Sequence, residues 1–382
     1  MAKRSIFEEV GAREMPAPAQ GGLIDRGRGG ARGAIRIWLM VLFVLVAVMI
    51  AVGGLTRLSD AGLSITEWKP VTGAIPPLNA ADWQSEFDLY QASPQYRLMN
   101  EGMTLGQFQQ IYWWEWGHRF LGRVIGLVWA LGFLGFWIAG KIPAGWKGRL
   151  LWVGVLGGAQ GAVGWWMVAS GLTGDMTTVA SYRLATHLGI GFLILGFLTW
   201  YALLLGRSEG QLLQARRASE RKPFGMATGL MHLVFLQILL GALVAGIDAG
   251  RSFPTWPLMN GAIFPPDAFY VPDGAAWRAF FENPGLVQFV HRSVAYLAFV
   301  FGFVVWLRGR RSAHKATRVA FHMVMAMLVV QVLLGIGTVL SAAALHPAIT
   351  HQIGAIVLWV LIIRARYLSQ YPKVATIRGG TA

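Results

Sequence analysis

Eight stretches of this chain are apolar for long enough to cross a bilayer: 37–55, 119–139, 150–169, 184–205, 226–247, 287–307, 319–341 and 348–363, the last being the shortest. A hydrocarbon core about 30 Å thick is spanned by roughly 20 helical residues. It holds no water to satisfy a peptide group, so each segment must bond its own backbone, as a helix does. With 55% hydrophobic and only 13% charged residues among 382, a soluble enzyme is excluded. Forty-eight Gly and seventeen Trp agree, since Gly is common in transmembrane helices and Trp gathers at the interface. The expected fold class is an all-α polytopic membrane protein with eight transmembrane helices.

The basic residues orient it. Of 33 Lys and Arg, 24 lie in the first 36 residues, in 141–149, 207–222 and 308–318, and after 363; six lie in the opposite loops and three near the starts of the second and sixth spans. This asymmetry puts both termini in the cytoplasm. The formal charge of +15 is then mostly a topological signal, with the lipid bilayer and its anionic headgroups as the partner and no nucleic acid. Residues 1–34 read as a disordered basic cytoplasmic tail. A signal peptide would carry its apolar core nearer the start, and Glu8, Glu9, Glu14 and Asp25 are contrary to an acid-poor transit peptide. A bacterial inner membrane is the expected location, an organellar membrane the alternative.

The chain repeats itself. Asp60-Ala61-Gly62-x-Ser64, Trp68 and Gly73-Ala74-Ile75-x-Pro77 return without a gap, 188 residues on, as Asp248-Ala249-Gly250-x-Ser252, Trp256 and Gly261-Ala262-Ile263-x-Pro265. Four spans per half is an even number, so both halves enter the membrane in the same direction. They form a parallel repeat about an axis along the membrane normal. The expected architecture is two pseudo-symmetric four-helix bundles: an N-terminal bundle over 35–206, a cytoplasmic linker over 207–225, a C-terminal bundle over 226–366 and a cytoplasmic tail over 367–382.

Each even-numbered span carries a histidine near its start: His118, His187, His291 and His351. Two share a signature, Glu115-x-x-His118-Arg119 and Gln288-x-x-His291-Arg292, and two follow a threonine, Thr186-His187 and Thr350-His351. Ionisable groups at membrane depth are costly and mark function, and imidazole is a common axial ligand of haem iron. Two pairs at one depth, near the outer face, suggest two haems. His232, His314, His322 and His346 have no repeat partner and are set aside. The odd-numbered spans carry Gln160-Gly161-Ala162, Gln237 with Gly241-Ala242, and Gln331 with Gly335, for which close helix packing is the plainer account. With no cysteine, iron–sulfur clusters, thiolate ligation, covalent haem attachment and disulfides are excluded.

The halves differ at one acid. Glu115 stands three residues before His118 on the same helical face, and its counterpart Gln288 cannot ionise. A carboxylate paired with a nearby arginine at the membrane surface is one account. The other is an acid or base needed by the first half alone, stabilising positive charge or moving protons. Arg119 and Arg292 suit bidentate pairing with haem propionates, and snorkelling to the interface is the alternative. Arg57, Arg183, Arg251 and Arg278 add outer-face charge.

With these residues together, the chain over about 35–365 resembles the haem A synthases, the membrane haem o oxygenases of cytochrome oxidase assembly. The resemblance implies that His118 and His187, with Arg119, hold the substrate haem o, and that His291 and His351, with Arg292, hold a permanent haem b. It matches Glu115 to the family's acidic residue in the substrate half and makes it the catalytic residue. It implies oxidation of the C8 methyl of haem o by two hydroxylations to a geminal diol, which loses water to leave the formyl group of haem a. Dioxygen is the oxidant and electrons come from outside. Haem O synthase and an external electron donor are the implied protein partners, and a homo-oligomer is compatible with the pattern. Some branches of the family carry a cysteine pair in the first external loop; its absence here excludes thiol-based electron delivery. Two histidines on the substrate iron leave no open site for oxygen. Either one of them leaves, or the macrocycle is oxidised and water traps the cation near Glu115. The rival is a di-haem b-type, quinol-oxidising electron-transfer cytochrome, which has no evident use for an acid beside one haem only. A transporter would carry its polar site at the bilayer midplane, away from the outer face where the ionisable residues cluster.

Overall fold

The computed structural model describes residues 31–272 and 274–373. Among these residues there is no strand, only one isolated bridge between Met259 and Ala262. Eight helices are long and apolar enough to span a membrane: α1 (Arg32–Leu58), then, after two short helices α2 (Ala80–Gln91) and α3 (Pro94–Met99), α4 (Leu105–Ile138), α5 (Lys147–Ser170) and α6 (Ser181–Leu205). The second half follows α7 (Glu209–Arg217): α8 (Arg221–Gly246), the short α9 (Ala249–Ser252) and α10 (Ala279–Glu282), then α11 (Pro284–Gly309), α12 (Lys315–Leu340) and α13 (Leu345–Gln370). Most of the tail expected over 1–34 lies outside the described residues, and Arg32 already opens α1; the end of the tail expected over 367–382 lies outside them too. The stretch 207–225, read as a linker, holds α7 and the first turn of α8.

Every membrane helix is longer than its apolar run, and two exceed it most. α4 begins 14 residues before position 119, because Thr104 and Gln107 close a capping box that satisfies the first free N–H groups. Gln107, Gln109 and Gln110 hide this turn from a hydropathy window, while its other face buries Phe108 and Tyr112 against Phe87 and Tyr90 of the outer-loop helix α2. α13 runs past Arg364 and Arg366, whose charges end the apolar run at 363. The Arg366 guanidinium lies over the rings of Trp200 and Phe224 and donates to Thr228 Oγ1, so the charge is accommodated and the helix continues.

In the first half α1 packs on α4 and α6, and α5 on α4 and α6; in the second, α8 packs on α11 and α13, and α12 on α11 and α13. Each half is thus a ring of four spans. The rings meet along α1, α6, α8 and α13, the four most buried spans, whereas α4, α5, α11 and α12 turn more of their surface outward to lipid. Across this seam Trp359 Nε1 donates to Phe192 O at 3.0 Å and Gln352 Nε2 to Ile50 O at 2.6 Å. At one end of the seam Arg57 pairs with both Asp60 (3.0 Å) and Asp248 (2.8 Å). Those two aspartates occupy matching repeat positions and both take the left-handed backbone conformation, φ 53° and 51°, which Asp tolerates better than most residues.

Candidate haem site

Within the first ring the imidazoles of His118 on α4 and His187 on α6 face one another, ring centroids 6.5 Å apart. A nitrogen about 2 Å from a transition metal, with the ring centre about 1 Å further on, gives roughly 6 Å for two imidazoles bracketing one ion. In the second ring His291 stands on α11 and His351 on α13, each against a glycine of α8 or α12. Each histidine meets a glycine of the neighbouring odd-numbered span. A Cβ on Gly53 would lie 3.0 Å from His118 Nε2, and one on Gly164 2.9 Å from His187 Cε1. On Gly241 and Gly335 it would lie 3.1 Å from Cε1 of His291 and of His351. These helices need glycine there, because any side chain would push the imidazole aside.

Glu115 is 2% exposed, within α4. Its Oε2 accepts from Ser64 Oγ at 2.8 Å and from Ile65 N–H at 2.9 Å, and its Oε1 accepts from Arg119 Nη2 at 2.6 Å and Nε at 3.1 Å. A buried carboxylate needs such pairing. Arg119 also donates to Ile65 O and Glu67 O and lies over the Trp165 ring. Beyond it a cleft of roughly 430 Å³ is lined by Glu67, Lys69, Glu86 and Arg123. A hydrogen bond to Glu67 holds the Lys69 ammonium above the usual lysine range, so the cleft rim stays charged.

The second half solves the same place differently. Gln288, 1% exposed, donates to Ala249 O (3.0 Å) and Phe253 O (3.4 Å), and Arg292 donates to Phe253 O (2.9 Å). With no carboxylate beside it, Arg292 keeps Nε and Nη1 buried and without a partner among the described residues. A buried guanidinium of this kind calls for an anion from outside the chain.

The donor set fits a haem better than a bare ion. Among the described residues no group of three or more His, Asp or Glu side chains converges, so the protein offers an iron two nitrogens and the other ligands must come with it, as in a tetrapyrrole. His187 Nδ1 and His351 Nδ1 are buried and unpartnered, as expected of nitrogens whose partner is not a protein group. Three residues were not singled out beforehand for this site: Gln160, Gln237 and Gln331, read as packing residues, reach His187, His291 and His351. Their recurrence four residues before a glycine of the odd-numbered spans was the available signal.

Comparison with known proteins gives the family. A family model described as cytochrome oxidase assembly protein matches residues 36–363. Proteins named heme A synthase are similar over their full length: one of Ruegeria sp. (strain TM1040) is 64% identical over 383 residues, covering 99% of this chain and 100% of its own. Those of Cereibacter sphaeroides (strain ATCC 17029 / ATH 2.4.9) and Ruegeria pomeroyi are 63% and 65% identical, each covering 99% of this chain and at least 99% of its own length. With the match running from the first membrane helix into the last, this multi-pass inner-membrane chain belongs to the cytochrome oxidase assembly protein family.

Proposed function

We propose that this protein is a haem A synthase: an oxidoreductase that converts the C8 methyl of haem o to a formyl group. The observation that carries the assignment of roles is the single buried carboxylate, Glu115, beside one histidine pair and the amide of Gln288 beside the other. Two equivalent electron-carrying sites give no reason for that difference. His118 and His187 hold the substrate haem o between α4 and α6, and His291 and His351 hold a resident haem b. When bound, that haem supplies one-electron redox chemistry. Arg292 pairs its two unpartnered donors with a propionate.

Each hydroxylation inserts one atom of dioxygen into a C–H bond and reduces the other to water, consuming two electrons and two protons. The second leaves a geminal diol that loses water. Glu115 handles proton and charge. Its Oε2, already taking a hydrogen bond from Ser64 Oγ, holds or releases a proton, and the cleft beyond Arg119 brings water close to it. The carboxylate, oriented by its pair with Arg119, stands where it stabilises positive charge that develops nearby. The basic loops put both termini in the cytoplasm, so the cleft faces outward. Dioxygen, an external electron donor and haem O synthase as the supplier of haem o complete the set, with self-association compatible.

Extraction and chromatography of the haems in purified protein tests this. Recovery of haem o or haem a beside haem b is expected; haem b alone, in two equivalent sites, would return the di-haem electron carrier.

A further inference from the structure

Three of the four histidines touch a glutamine of the neighbouring odd-numbered span, and the fourth does not. Gln160 Nε2 lies 3.3 Å from His187 Nε2. Gln237 Nε2 lies 3.0 Å from His291 Nδ1 and donates to His291 O at 3.0 Å, and Gln331 Nε2 donates to His351 O at 2.8 Å. Each of these glutamines stands four residues, about one helical turn, before the glycine that meets the same imidazole: Gly164, Gly241 and Gly335. The corresponding residue before Gly53, which meets His118, is Met49. The offset of 188 that relates Asp60 to Asp248 also relates Gly53 to Gly241 and Met49 to Gln237. Met49 is at the right place along α1: its Cε lies 3.4 Å from a Cβ built on Gly122, one turn beyond His118 on α4. Among the described residues neither the His118 ring nor the His351 ring has a hydrogen-bond partner, but His351 is held through its backbone carbonyl by Gln331 and His118 by no glutamine, while Oε1 of Gln160, Gln237 and Gln331 is in every case buried and unpartnered.

An imidazole that ligates a metal through one nitrogen donates its other N–H to an acceptor, which fixes the ring and makes it a better ligand. The orphaned Oε1 of Gln160 is an acceptor of that kind for the His187 ring. At Gln160 a half-turn of the amide, which exchanges nearly equivalent positions, brings Oε1 onto the free N–H of His187, whereas Gln237 and Gln331 keep Nε2 on the backbone carbonyls of His291 and His351 and hold those residues there. A thioether is a weak acceptor and adapts its shape. We propose that Gln160, Gln237 and Gln331 are positioning residues that lock His187, His291 and His351 on their irons, and that Met49 leaves His118 as the weakly held, displaceable ligand of the substrate site. This rests on the histidines being axial ligands. It assigns the side on which the substrate iron opens: the α4 side, on the helix that also carries Glu115. The resident site, with glutamine on both flanks, stays closed.

The test uses full-length protein purified from cells that make haem o, reduced with dithionite and titrated with carbon monoxide, which binds only where an axial ligand yields. In the wild type the substrate haem is expected to take up carbon monoxide and the resident haem to resist it. Met49→Gln should weaken that uptake tenfold or more, within the 10–100-fold range for changes behind a metal ligand. Gln237→Met should open the resident haem to carbon monoxide, with haem content per protein unchanged in both. The second variant removes a polar group from a membrane helix, so it remains informative should the first fold poorly. Unchanged titrations in both variants at full haem content would overturn the proposal while leaving the ligand assignment intact. Equal carbon monoxide binding at both wild-type haems would overturn it too. Haem content indifferent to His118→Ala and His291→Ala would instead remove the ligand assignment beneath it.

Discussion

Glu115 and Gln288 differ by one atom, and their surroundings have adjusted to it. The carbonyls that take the Gln288 amide belong to Ala249 and Phe253, and their repeat counterparts, Ala61 and Ile65, flank Ser64 beside Glu115. Glu115→Gln thus finds ready acceptors and should fold with both haems, with Arg119 still donating to Ile65 O and Glu67 O. Haem a formation is expected to fall by about two orders of magnitude, since electrostatic terms of this kind contribute a few kcal/mol and about 1.4 kcal/mol is tenfold. The haem o, hydroxylated haem and haem a fractions in cells carrying the variant measure this. A second residue-scale test lies in the glycines. Gly241→Leu drives a side chain into the place of the His291 imidazole and should remove the second-half haem, lowering haem per protein by about half in a pyridine haemochrome assay. The histidines, the acid and both arginines were legible in the sequence because repetition marks them. The glutamines were not understood, because on one helix a Gln-x-x-x-Gly spacing looks like packing until the facing helix is known.

Hydropathy found all eight spans but fell furthest short at two ends, in each case because polar side chains satisfied by the protein itself look like solvent exposure. The Gln-rich start of α4 and the Arg364–Gln370 end of α13 are such places. It gave no sign of α2 and α3, whose starts depend on local caps: Asn79 Oδ1 accepts from Asp82 N–H, and Ser93 Oγ from Tyr96 N–H before Pro94. Between elements, large rings rest on missing side chains. Trp38 of α1 sits where a Cβ on Gly132 would be and donates to Val128 O at 3.0 Å, and Trp129 covers Gly154 of α5 in the same way. Gly132→Val must expel the Trp38 ring and break its hydrogen bond. Overpacking costs about 1–3 kcal/mol and a hydrogen bond about 1 kcal/mol more. The expected result is a lower midpoint in thermal unfolding of the detergent-solubilised protein, with Gly135→Val, whose Cβ meets nothing within 4 Å, close to wild type.

At the scale of the molecule the prediction is a division of labour. His291→Ala or His351→Ala should remove the tightly bound haem b, whereas His118→Ala or His187→Ala should spare it and abolish conversion of haem o. Optical spectra of the four purified variants separate these cases, and loss of haem b only in the first-half pair would exchange the roles. The number of spans and their grouping in fours were legible from hydropathy and the repeat, but which spans lie inside was not, because the hydropathies of the two sets overlap, α12 exceeding every inner span but α1 and α13 lying below α4; the burial of the inner four is a property of the seam. That seam has a consequence in time. At about 5–20 residues per second, α13 leaves the ribosome on the order of ten seconds or more after α6. For that interval the first four helices lie in the bilayer with the inner faces of α1 and α6 against lipid and Arg57 without Asp248. Completion of the final helix, and not of the first bundle, therefore sets when a nascent chain passes from insertion to assembly, and a ribosome that stalls between the two leaves a membrane intermediate whose seam is open to degradation.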